Sequence, residues 1–154
     1  MEYQVRTARI TDIERLVALG DAAAMLRRES PLNAADLLRQ MVYLPQASIY
    51  VAEARREVVG GAVLALRPSV RFGGYVGTVD LLVVDPAHDA DRVTDALLEE
   101  VLRSASNKGC TVVEAVLPDD PTERSRWERQ GFIPARSLVE RSVEAAGSAA
   151  RRTR

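Results

Sequence analysis

The feature that most constrains this chain is the apolar run Tyr75 to Val84 (YVGTVDLLVV), closed by Asp85-Pro86 and followed by a switch of hydrophobic period. It is too short for a membrane helix and is bounded by Gly73-Gly74 and Pro86, so it reads as a long central strand buried on both faces. Beyond it the apolar residues recur at helical spacing. Val93, Leu97, Val101 and Ala105 share one face, and Leu98 and Leu102 widen it. Asn107-Lys108-Gly109 closes that helix, with Gly109 as the residue past its end. Cys110 to Leu117 then reads as a strand again. Strand, helix, strand in this order predicts parallel pairing between 75–84 and 110–117.

Upstream, Val5 to Ala8 is a short β-like start. Thr11 with Glu14 three residues on has the spacing of a capping box, so a first helix is expected there, carrying Ile13, Leu16, Val17 and Ala24 until Pro31 breaks it. Asn33 or Ser30 is the expected cap of a second helix with Leu37, Leu38, Met41 and Val42. Ser48 to Ala54 (SIYVAEA) and Val58 to Leu66 (VVGGAVLAL) read as strands joined by the polar turn Arg55-Arg56-Glu57, hence a hairpin. Gly60 and Gly61 inside the second strand predict a bulge or a close backbone contact. Thr122 to Gln130 is expected to be a short helix ended by Gly131, Phe132 to Val143 to contain a last strand, and Glu144 onward to be a disordered basic tail. The fold class is therefore α/β: one domain over 1–143, a mixed sheet with helices on both faces.

Bulk properties narrow the partners. The chain has 154 residues, 47% of them hydrophobic, which suits one domain with a real core. Formal net charge is −1 and aromatic residues are 5%, giving no electrostatic or stacking case for nucleic acid, and none for a membrane surface. No apolar run approaches the roughly 20 residues of a membrane helix, and Met1 to Arg6 lacks the apolar core of a signal peptide. A cytoplasmic location is expected. Cys110 is the one cysteine and His88 the one histidine, so no metal cluster is expected. Cys110 reads as a buried inert thiol and His88 as a solvent-exposed loop residue.

Three segments carry a family resemblance. Val5-Arg6-Thr7-Ala8-Arg9-Ile10-Thr11-Asp12-Ile13, Val79-Asp80-Leu81-Leu82-Val83-Val84-Asp85-Pro86 and Trp127-Glu128-Arg129-Gln130-Gly131-Phe132 stand in the order and spacing of the GNAT superfamily of acyl-CoA-dependent N-acetyltransferases. The chain resembles that family over about residues 3 to 143. The resemblance implies acetyl-CoA or another acyl-CoA as donor and a small-molecule or peptide amine as acceptor. In the family, an Arg/Gln-x-x-Gly-x-Gly/Ala loop after the fourth strand lets backbone N–H groups at a helix start bind the pyrophosphate of CoA. Here the corresponding stretch is Asp89-Ala90-Asp91-Arg92-Val93-Thr94, without glycine. Asp89 and Asp91 repel an anion by about 1 kcal/mol each at ~4 Å in water. Asp91 is the expected N-cap of a helix beginning near Arg92, which would occupy the same N–H groups.

The resemblance also assigns the remaining site residues. Asp80 matches the carboxylate that serves as base; it also reads as a strand-end or surface carboxylate, although its apolar flanks would bury it. Leu82 and Val84 match the positions whose backbone groups pair with the pantetheine arm, and Arg92, Val93 and Thr94 match the phosphate-binding turn. Trp127 stands where many members carry a tyrosine acid. An indole N–H donates but does not titrate usefully, so Trp127 is expected to pack rather than to protonate. Two readings stay open: an N-acyltransferase, possible homodimer included, and a GNAT-fold binding or regulatory module that does not use acetyl-CoA.

Overall fold

A computed structural model of the chain describes residues 1–27 and 32–144. Five strands, β1 (Gln4–Thr7), β2 (Ala47–Ala54), β3 (Glu57–Ser69), β4 (Gly74–Val84) and β5 (Cys110–Glu114), form one sheet in the order β1-β2-β3-β4-β5. The first three pairings are antiparallel and β4–β5 is parallel, as the strand–helix–strand order requires. The helices are α1 (Ile13–Ala22), α2 (Ala34–Met41), α3 (Ala90–Asn107) and α4 (Pro121–Arg129).

The strands alternate, so each face of the sheet gets its own core. Ile49 and Val51 of β2, Val63 and Val83 pack with Ile13, Leu16 and Leu19 of α1 and Leu38 of α2. Tyr50 and Ala52, Ala62, Leu64, Val79 and Leu82 pack against Val93, Leu97, Leu98 and Val101 of α3. The buried Tyr50 hydroxyl donates to Ser104 Oγ at 2.5 Å, tying β2 to α3. Helices on both faces of a mixed sheet is the architecture expected from the sequence.

Two irregularities matter. Between Ala52 and Glu53 the β2 register skips Val59 of β3, and between Val63 and Leu64 the β3 register skips Asp80 of β4. The second bulge explains why Val79 and Leu82, three residues apart, reach the same core. Gly60 and Gly61 mark close approach, one on each face. A Cβ on Gly60 would meet Val83 O at 2.8 Å and Val93 Cγ1 at 2.9 Å, and one on Gly61 would overlap Leu16 Cδ2.

The local punctuation departs from expectation in several places. The first helix is entered through a 3₁₀ turn at Ile10–Asp12, where the Asp12 carboxylate accepts the Arg9 N–H at 2.7 Å, so Asp12 rather than the Thr11/Glu14 pair organises the entry. Arg6 grips Asp12 with two bonds at 2.8 and 3.1 Å, which outcompetes a hydroxyl cap. Asn33 caps α2 through Ala35 and Asp36 N–H groups. The β2–β3 turn is the pair Arg55-Arg56, both at positive φ, with Glu57 already in β3. β5 stops at Glu114 instead of Leu117. The last strand expected within Phe132–Val143 does not form: residues 132–144 have no helix or strand. The break at Pro31, the alternative cap Ser30 and the tail from residue 145 lie outside the described residues.

Candidate functional site

The sheet opens where β4 and β5 part. Their parallel register runs from Tyr75↔Cys110 to Thr78↔Glu114 and stops, while β4 continues to Val84. From Val79 to Val84 the edge of β4 facing β5 has no strand beside it. Leu82 and Val84 lie on this open edge, paired on their other side with Ala62 and Gly60 of β3. Asp80 stands at the mouth of the opening, as the residue left out of the β3 register. It is exposed, as a surface carboxylate is, and not buried as its apolar flanks alone would have it. The bulge is the reason: it releases Asp80 from the alternation that sends Val79 and Leu82 into the core.

The loop from β4 to α3 is pinned at both ends. Asp85 accepts from Arg15 of α1 at 2.8 Å and from the Ala87 N–H at 2.9 Å, and these bonds hold its carboxyl below the ordinary aspartate range, the backbone bond contributing most. Tyr3 closes the other end: its hydroxyl lies 3.3 Å from His88 Nδ1 and accepts the Asp89 N–H at 3.3 Å. His88 is therefore half-buried and edge-on to Tyr3, where the sequence suggested a solvated side chain.

The helix begins at Ala90, and Asp89 is its N-cap, with Oδ1 accepting the Arg92 N–H at 3.2 Å. This corrects the expected cap at Asp91. Asp91, one residue inside the helix, turns to α4 instead. It accepts Arg126 Nε at 2.7 Å, and that bond holds its carboxyl below the usual range. Arg129 reaches Asp95 at 3.0 Å and Asp91 at 3.7 Å, and Gln130 also donates to Asp95. The phosphate-turn candidates are placed as follows. Arg92 is exposed, with its guanidinium carbon 5.6 Å from the Tyr3 ring centroid. Val93 is fully buried and its N–H bonds to Asp89 O at 3.0 Å. Thr94 is 2% exposed.

Trp127 packs edge-on against Phe132, centroids 5.0 Å apart, at the rim of the α3 core, the packing role expected of it. It also lines a cavity of about 370 Å³ between β5, α4 and the segment 132–138. Glu114, the last residue of β5, anchors that segment. It accepts from Arg67 at 3.1 Å and Arg136 at 2.6 Å, and Arg136 lies over the Phe72 ring. Sequence reading missed Glu114, because its partners come from β3 and the C-terminal segment and no local pattern links them. Cys110 is only half-buried, and desolvation pushes its thiol up, away from a reactive thiolate.

The model of the acetyltransferase (GNAT) family matches residues 19–132, which includes β4, its loop, α3 and α4. The chain is a member of the GNAT acetyltransferase family. Solved structures agree in fold. A transcriptional regulator from Bacillus halodurans C-125 superposes with TM-score 0.78 at 19% identity, covering 92% of this chain and 100% of that one. An integron cassette protein from the mobile metagenome of Cole Harbour Salt Marsh gives 0.75 at 26% identity, covering 92% and 91%. A ribosomal-protein-alanine N-acetyltransferase from Brucella melitensis biovar Abortus 2308 gives 0.71 at 17% identity, covering 92% and 100%. Among curated proteins no sequence matches. In this GNAT domain the β4 edge is open from Val79 to Val84, and residues 89–94 at the α3 start contain no glycine. The open edge suits the amides of a pantetheine arm. The α3 start does not suit a pyrophosphate, since Asp89 already holds the Arg92 N–H.

Proposed function

We propose that this GNAT domain is an N-acyltransferase that passes an acyl group from a pantetheine thioester, acyl-CoA being the donor its family uses, to a primary amine. The observation that carries the reading is the halt of β4–β5 pairing at Thr78↔Glu114 beside the bulge at Asp80. A donor of this kind supplies an activated acyl group. The chain's own residues supply position and a proton acceptor. The backbone of 79–84 offers an unpaired strand edge on which an extended amide arm can lie. The Asp80 carboxylate accepts the proton that the attacking amine gives up, directly or through water. Trp127 fills the place of a tyrosine acid and excludes solvent without titrating. The acceptor side belongs to α1 and α2, and small-molecule and peptide amines both remain within the reading.

The α3 start favours a second reading, a binding module that has lost its donor. One experiment separates them. Full-length protein is mixed with acetyl-CoA and a panel of amines, and free thiol release and thermal stabilisation are followed. Release with at least one amine supports transfer. Neither release nor stabilisation at millimolar acetyl-CoA would remove it. Among the described residues no helix is long and apolar enough to cross a membrane, and we read the protein as cytoplasmic. The exposed apolar residues Ile133, Leu138, Val139 and Val143 support a homodimer; a monomer mass by light scattering would remove that part.

A further inference from the structure

We infer that this protein recognises its acyl donor as an acylated pantetheine thioester and does not read the nucleotide end of CoA. The inference rests on the acyltransferase reading above and narrows its donor. It follows from what each end of the site has left to offer.

At the α3 end, several of the groups that could bind an anion are committed within the chain. The Arg92 N–H goes to Asp89 Oδ1 at 3.2 Å and the Val93 N–H to Asp89 O at 3.0 Å. Arg126 is held by Asp91 at 2.7 Å, and Arg129 by Asp95 at 3.0 Å. Arg92 is drawn over the Tyr3 ring at 5.6 Å. Arg126 and Arg129 are thus each paired with a carboxylate, Asp91 and Asp95, and Asp89 adds a further negative charge at the helix start. What remains for an anion is the Arg92 side chain, the N–H groups of Ala90 and Asp91 and the helix dipole, about half a charge, and the Asp89 carboxylate sits on that end. A pyrophosphate reaching Arg126 or Arg129 must first break Arg126–Asp91 or Arg129–Asp95. The loop cannot yield easily, because Asp85–Arg15 and Asp89–Tyr3 fix it on both sides and it has no glycine.

At the strand end, the opposite holds. The edge of β4 from 79 to 84 is open, flanked by Val79, Leu82 and Val83 in the core, and bears no partner strand. It suits a neutral amide arm that makes strand-like bonds and brings no charge to be paired.

The test compares two donors on the full chain by calorimetry: acetyl-CoA, and S-acetylpantetheine, which has the same thioester and amides but no phosphate. Equal use of both predicts dissociation constants within about threefold of each other, whereas a site that reads the nucleotide separates them by a hundredfold or about 2.7 kcal/mol. Acetyl-CoA binding that is a hundredfold tighter overturns the inference and leaves the acyltransferase reading standing. Binding of neither donor overturns both. The double variant Asp89→Asn with Asp91→Asn gives an independent check. Asn keeps an acceptor for the cap, removes two negative charges and frees Arg126. It is expected to tighten acetyl-CoA about tenfold and to leave S-acetylpantetheine unchanged. A folded double variant with unaltered acetyl-CoA affinity overturns the assignment of the barrier to these carboxylates.

Discussion

Gly61 has no room for even a methyl group, because the space its Cβ would need is held by Leu16, itself wholly buried. Gly61→Ala is expected to lower stability by about 3 kcal/mol through overpacking between β3 and α1, measured by urea denaturation; a loss under about 0.5 kcal/mol, the range of ordinary surface changes, would mean that α1 shifts freely. The sequence pointed to this contact, since paired glycines in an apolar strand have few other uses. Asp12 was less legible. It looked like an ordinary residue of a helix entry, yet it is 8% exposed and is gripped by Arg6 and by the Arg9 N–H. The Arg6 bond, opposed by desolvation, holds its carboxyl below the usual aspartate range. A lowered folded pKa contributes stability that is fully present above the unfolded value, near about pH 4, and is lost as pH falls through the folded pKa. Asp12→Asn should therefore cost on the order of 2 kcal/mol at neutral pH, with the gap to the parent closing below about pH 4. A gap constant between pH 7 and pH 3 would show that charge is not what Asp12 contributes. Asp80 was legible as a candidate but not in its setting, because a bulge is a property of two strands in register and not of one run of residues.

At the scale of elements, β4, α3 and their parallel return were readable because each is long and its period unambiguous. The start of α3 was not. Asp89 and Asp91 are both good cap residues two positions apart, and periodicity locates a helix start only to within a couple of residues. The decision falls to contacts far off in sequence: Tyr3 takes the Asp89 N–H, and Arg126 takes the Asp91 carboxylate. These roles give opposite expectations for the two alanine variants. Asp89→Ala removes the cap and should lower stability by about 1 kcal/mol. Asp91→Ala leaves the cap in place and removes only exposed ion pairs to α4, so the melting temperature should hardly move. A larger loss for Asp91→Ala than for Asp89→Ala in matched thermal melts would restore the cap to Asp91.

At the scale of the whole molecule, the C-terminal segment shows where local reading ends. Phe132 to Val143 has enough apolar residues for a strand, but a strand forms only against a partner edge. Here the segment lies across a cavity from β5 and makes no ladder with it, leaving Leu138, Val139 and Val143 exposed. What ties it down is chemistry contributed by three separate elements. Glu114 of β5 receives Arg67 from β3 and Arg136 from the segment, and Arg136 also lies 4.6 Å from the Phe72 ring centroid. All three charged side chains are substantially solvated, so each pair is worth at most about 1 kcal/mol to global stability. Their effect is local. Arg136–Glu114 is an ion pair that ties the start of the segment to the sheet. Arg136→Ala should thus leave the melting temperature within about 3 °C of the parent, the shift that ~1 kcal/mol produces in a domain of this size. Hydrogen exchange over 132–144 should meanwhile speed up several-fold, while β4 and α3 exchange as before. Unchanged exchange in the segment would mean that contacts other than Arg136, Phe132 against Trp127 among them, hold it in place. Faster exchange throughout β4 and α3 would mean instead that the segment is part of the cooperative core, and that Glu114 ties the sheet together rather than pinning one strap across it.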